Sequence, residues 1–252
     1  MNIDEQCYHF VFILFVTGRG EEKHLPKMFG SIANSGLCSF VVKEFIGQRK
    51  PITSQKRTAR MVGTGKVVTD KDFAKFAPAR RYISASSCNR ILFIDDLEES
   101  SRHEVDEKFA RYRTVLNTVL GEHKERAAVH FLVNMLEAYF FAHPDAVNIA
   151  LELEPPLEPY DGDVETIIHP KNRLKKIVPA YNEVDSAGSI LEYLDLDEVL
   201  SEPKACAFLR TCIKWVVDEL RSYPDPATFK NQNFDERFHL QVGTLSQTTM
   251  SQ

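Results

Sequence analysis

"NRILFIDDLEESSRHEVDEKF", residues 89–109, decides how the fold is read. Ile91 to Ile94 form an unbroken apolar run that ends at once in Asp95 and Asp96. An unbroken run suits a strand covered on both faces, as in a parallel sheet, whereas a half-exposed strand alternates. The two acids then have two readings. They mark a buried strand running out into water, or they deliver carboxylates to a metal or phosphate site. Neighbouring strand residues point to opposite faces, so Asp95 and Asp96 share one centre only if the chain turns there.

"HFVFILFV", residues 9–16, repeats the pattern. Eight residues are too few to cross a bilayer, and Asp4 and Glu5 precede them in place of the basic start of a secretory signal. Gly18 and Gly20 follow as a turn, then Leu25, Met28, Phe29 and Ile32 at helical spacing, with Pro26 expected in the first turn of that helix. Residues 37–47 and 128–133 read as further strands, and 102–120 as a charged helix with Val105, Phe109, Tyr112 and Leu116 on one side. Residues 70–82 read as a short helix capped by Asp70. "NMLEAYFFAHPDAVNIAL", residues 134–151, reads as helix, a break at Pro144 and a second short helix. Strand and helix alternating in this rhythm predict an α/β fold, with a mainly parallel central sheet flanked by helices.

Residues 153–170 form a connection rich in proline and acids. Helical patterns return at 186–200 and 204–222, the second with Ala205, Phe208, Leu209, Cys212, Trp215, Val216 and Leu220 on one apolar face. The expected organisation is an α/β core over 1–150, a helical C-terminal extension over 151–224 packed on it, and an irregular tail over 225–252.

The 252 residues are 43% hydrophobic and 27% charged, enough for one sizeable core. The net charge of −5 leaves nucleic-acid binding to local patches. One such patch is residues 43–66, where Lys43, Arg49, Lys50, Lys56, Arg57, Arg60 and Lys66 face only Glu44. It lacks the spacing of a phosphate-binding loop. It reads either as a groove for phosphates, insensitive to base identity, or as a solvated loop. Arg173, Lys175 and Lys176 extend it or face water on a helix surface. The five cysteines (7, 38, 88, 206 and 212) are odd in number and contain no CxxC pair, which predicts reduced thiols in a cytoplasmic protein. The eight histidines add no local zinc spacing, and His130 sits in an apolar strand as a packed residue.

Candidate site residues are therefore acidic. Asp95, Asp96 and Glu137 are the candidate ligands of a hard cation such as Mg²⁺ or Mn²⁺, with Glu21 near the first turn. Glu137 interrupts the otherwise apolar "NMLEAYFF" and needs a partner if buried, either a cation, Arg173 or a helix amide. Glu21 and Glu22 also fit the field of a helix start without any metal.

Several separated pieces of the chain resemble a family of bacterial Toprim-like proteins, related in fold to the nuclease domains of overcoming-lysogenization-defect proteins. "FVTGRGEEKHL" is similar to the family's strand, Glu-Gly turn and following acid, with Gly18 and Glu21 matching and Thr17 standing in the place of the first Glu. "LFIDDLEES" supplies Asp95 for the first residue of an Asp-x-Asp element, with Leu97 in place of the second Asp. "AVHFLVNMLEAYFFAHPDAV" carries Glu137 and Ala138 in the Glu-Ala position. Arg173, Leu174, Tyr181, Gly188, Ile190 and Phe208 carry the last match, so the pieces span roughly residues 9–222. The resemblance implies a Toprim-like core with acids holding divalent metals for phosphodiester chemistry on DNA or RNA, linked to phage defence or mobile elements. The catalytic residues it implies are Glu21, Asp95 and Glu137; Arg49, Lys50, Lys56, Arg57, Arg60 and Arg173 are the candidate nucleic-acid contacts. The alternative is a catalytically inactive Toprim-like module that binds nucleic acid or a protein partner.

Overall fold

The computed structural model describes residues 6–47, 59–61 and 67–250. Its centre is an all-parallel four-stranded sheet made of β1 (Phe10–Val16), β2 (Cys38–Phe45), β5 (Asn89–Leu97) and β6 (Ala127–Val133), in the order β2-β1-β5-β6. β3 (Ala59–Met61) and β4 (Val67–Thr69) make a separate antiparallel pair. Arg49, Lys50, Lys56 and Arg57 lie outside the described residues, and Arg60 is described only as part of the β3 backbone.

The apolar runs become central strands because both of their faces are covered. On β5, Leu92 and Ile94 enter one buried cluster, and Ile91, Phe93 and Leu97 enter the other. The second cluster is closed by α3 (Asp70–Phe76), α4 (Pro78–Ala85) and α5 (Val105–Leu120), which supply Phe76, Ile83, Tyr112 and Leu116. The first takes Leu25 and Met28 from α1 (Arg19–Met28) and Ile32 from α2 (Gly30–Ala33). It also takes residues from the short α6 (Glu137–Phe140), from α7 (Pro144–Leu151) and α8 (Pro170–Ile177), and from α9 (Asp185–Tyr193) and α10 (Leu196–Val199). α11 (Ala207–Leu220) adds Leu209, Cys212, Val216 and Leu220, so the C-terminal helices share one core with the sheet.

Four expectations are corrected. Pro26 lies well inside α1, where it removes an amide from the helix ladder, and the helix ends soon after it at Met28. The cap of α3 is Thr69, whose hydroxyl accepts from the Asp72 amide at 3.1 Å, and Asp70 is already helical. Among the described residues the tail carries three short helices, α12 (Pro226–Lys230), α13 (Phe234–Arg237) and α14 (Gln247–Met250). Each is too short to show a helical period, yet Phe234, Phe238 and Leu240 are buried in the shared core. Finally, Cys7 and Cys88 form a disulfide with their Cα atoms 5.2 Å apart, and only Cys38, Cys206 and Cys212 are thiols. The segments that enter β1 and β5 run side by side, and this brings the two cysteines together across 81 residues of sequence.

Among the described residues, no helix is long and apolar enough to cross a membrane.

Candidate active-site cleft

The chain leaves β1 for β2 on one side and reaches β5 and β6 on the other, so the order of the sheet switches direction between β1 and β5. Crevices at the carboxyl ends of parallel strands form at such a point. A cleft of about 430 Å³ opens here. It is lined by Thr17 and Glu21 after β1, Phe45 at the end of β2, Asp96 of β5 and Glu98 just after it, and Met135 and Glu137 after β6. Lys171 of α8, with Glu183 and Val184 just before α9, closes it from the C-terminal part of the chain.

β5 remains a regular strand through Leu97, which pairs with Val133, so Asp95 and Asp96 point to opposite faces. Asp95 turns toward α5. Its Oδ1 accepts from the Thr17 hydroxyl at 2.6 Å and its Oδ2 from the Tyr112 hydroxyl at 3.0 Å. Burial raises the Asp95 carboxyl, and those two bonds pull in the other direction. Asp96 is the residue that reaches the cleft. It is 8% exposed, and its Oδ1 is buried without a hydrogen-bond partner. Burial holds its carboxyl well above the ordinary range, and Glu21, Asp95, Glu137 and Glu98 reinforce this by repulsion.

Glu21 reaches the same space by an indirect route. It stands in the first turn of α1, and its carboxylate folds back over Gly18. A Cβ on residue 18 would lie 1.6 Å from Glu21 Oε2, so the missing side chain makes room for the acid. Burial raises the Glu21 carboxyl; its own backbone amide lowers it, Glu137 and Asp95 raise it further, and Lys171 lowers it. Glu137 opens α6, where it accepts from the Tyr181 hydroxyl at 3.2 Å. Burial raises it as well, offset by its own amide, by Lys171 and by Tyr181.

The structure thus brings together Glu21, Asp96 and Glu137 from the sequence candidates, and it places Asp95 behind them. Among the described residues, no three His, Cys, Asp or Glu side chains stand ready-grouped to hold a metal ion. Arg173 is not Glu137's partner: its guanidinium stacks on Phe141 and Tyr160 at 5.3 and 5.0 Å from the ring centroids. The cations of the cleft are Lys171, paired with Glu183 at 2.9 Å, and Arg19, which lies 3.9 Å over the Phe45 ring and pairs with Glu22 at 2.6 Å. Lys171 went unrecognised within "HPKNRLKK" because helical spacing does not tell which of three lysines turns inward. His130 is packed as expected, 1% exposed, with burial holding its imidazole down at about 3 and therefore neutral.

Comparison of the chain with family models, with curated proteins and with solved structures finds no match.

Proposed function

We propose that the cleft binds a divalent cation, Mg²⁺ or Mn²⁺, on Asp96, Glu21 and Glu137, and that the protein is a Toprim-like enzyme acting on phosphodiester bonds of DNA or RNA. The observation that carries this reading is the buried, unpartnered Oδ1 of Asp96, set among acids that raise one another by repulsion. A carboxylate in that position lacks a counterion, and a hard cation with oxygen ligands supplies one. The donors are carboxylate oxygens, the type such a cation takes. A bound cation would polarise a phosphoryl oxygen and acidify a bound water. The residues themselves give the site its shape: Thr17 and Tyr112 hold Asp95 out of the cleft, Tyr181 orients Glu137, and Lys171 offers a positive charge beside the acids.

The Toprim-like resemblance places an acid where Thr17 stands. Glu21, folded over Gly18, brings a carboxylate to that end of β1 by another path. The second reading is an inactive module that binds nucleic acid or a protein. One set of measurements separates the two: Mn²⁺ titration and metal-dependent cleavage of DNA and RNA by the wild type, Asp96→Asn and Glu137→Gln. The enzyme reading expects metal binding and cleavage that both variants lose while remaining folded. Nucleic-acid binding without metal binding or cleavage selects the module.

A further inference from the structure

A buried polar node lies behind the cleft, centred on Glu165, which is 1% exposed and sits in a 3-10 turn, Val164–Thr166. Its Oε1 accepts from the Tyr139 hydroxyl at 2.9 Å and from the Leu209 amide at 3.1 Å, and the Phe208 amide stands 3.2 Å from both carboxylate oxygens. Its backbone carbonyl accepts from Asn134 Nδ2 at 3.0 Å and from Arg102 Nη1 at 3.1 Å. The Tyr139 hydroxyl in turn accepts from the Val133 amide at 3.2 Å.

Capping the first turn of α11 requires only the bonds to residues 208 and 209. The remaining side-chain bond runs to Tyr139, and the backbone carbonyl takes Asn134 together with Arg102, so that residues on either side of Glu137 are held. The backbone between them is held in an unusual state: Asn134 and Met135 have φ values of 57° and 75°. Asparagine tolerates this region, whereas methionine enters it only where its surroundings enforce it. Met135 and Glu137 both line the cleft, so the turn that Glu165 grips is the one that presents them.

We propose that Glu165 is a positioning residue for the cleft: it clamps Asn134 and Tyr139, and so fixes the turn that aims Glu137 and Met135 inward. Its consequence for cation binding rests on the metal reading above, and its structural part does not. Residues that orient metal ligands from behind commonly matter 10- to 100-fold in metal affinity.

The test uses the full chain with ¹³C-methyl methionine, which gives only five labelled positions. Met135 reports the turn, and Met28, buried in α1, reports the rest of the fold. Tyr139→Phe and Glu165→Ala are expected to shift the Met135 methyl resonance and leave Met28 unmoved. Glu165→Gln keeps one acceptor oxygen and is expected to shift it less. Mn²⁺ affinity is expected to fall about tenfold or more in Tyr139→Phe, with partial retention in Glu165→Gln. An unmoved Met135 resonance in folded Tyr139→Phe overturns the positioning role, as does unchanged Mn²⁺ affinity in that variant. A wild-type protein that binds no Mn²⁺, with the Met135 shifts still present in the variants, sinks the metal reading and upholds the positioning.

Discussion

Gly18 has φ −97° and ψ 153°, a conformation open to any residue, so its value lies in the space it leaves to Glu21. Gly18→Ala is expected to displace the Glu21 carboxylate and weaken Mn²⁺ binding about tenfold, a loss of ~1.4 kcal/mol. Backbone stability should change by less than ~1 kcal/mol, since no special φ is lost. Calorimetric metal titration and urea denaturation of the same variant separate the two effects. Asp96→Asn acts in the opposite sense on stability. It removes a carboxyl that burial and the surrounding acids hold raised, and should raise the urea midpoint of the metal-free protein at pH 8 while abolishing stabilisation by Mn²⁺. An unchanged urea midpoint would mean that Asp96 is not under repulsion.

At the scale of elements, Thr69→Ala should destabilise α3 by about 1 kcal/mol, read as a lower urea midpoint, by removing the acceptor for the Asp72 amide. Sequence reading chose Asp70 because both residues belong to the usual capping set, and periodicity alone does not locate a boundary to one residue. The central strands were legible because runs such as Phe10–Val16 and Ile91–Ile94 leave no polar face. The tail was not, because helices of four or five residues carry no period, and what packs them lies elsewhere in the chain, as α14 does on α11 and α5. For the site, sequence reading identified the acids but could not divide them. Asp95 and Asp96 are chemically alike, and what separates them is that β5 stays extended through Leu97 and that Thr17 and Tyr112 occupy Asp95. Both partners are remote in sequence and ordinary in type. Glu165 was likewise invisible: nothing in "GDVETII" distinguishes a buried clamp from another acid of an acidic connection.

Across the whole molecule, Glu21, Asp95, Asp96, Glu137 and Glu165 are all raised, in each case foremost by burial. Each binds its proton more tightly folded than unfolded. The stability they confer is therefore fully present below the unfolded values near 4 and is lost as pH rises through the folded ones. For Glu165, lifted from 4.5 to about 7, the loss across that window is about 3 kcal/mol. Urea denaturation is expected to show lower stability at pH 8 than at pH 5. Mg²⁺ should restore part of the difference at pH 8 and do little at pH 5, where protons compete for the carboxylates. Stability that rises steadily from pH 5 to 8 without metal would contradict the burial of these acids. The cleft's wall adds a different consequence. Lys171, Glu183 and Val184 come from beyond residue 151, and Phe238 in the tail gives its carbonyl to the fully buried Arg210 of α11. Removing the C-terminal helices would therefore open one wall of the cleft. A deletion confined to the tail reaches further than its own residues, because it takes an acceptor from the buried Arg210 and with it a fastening of α11.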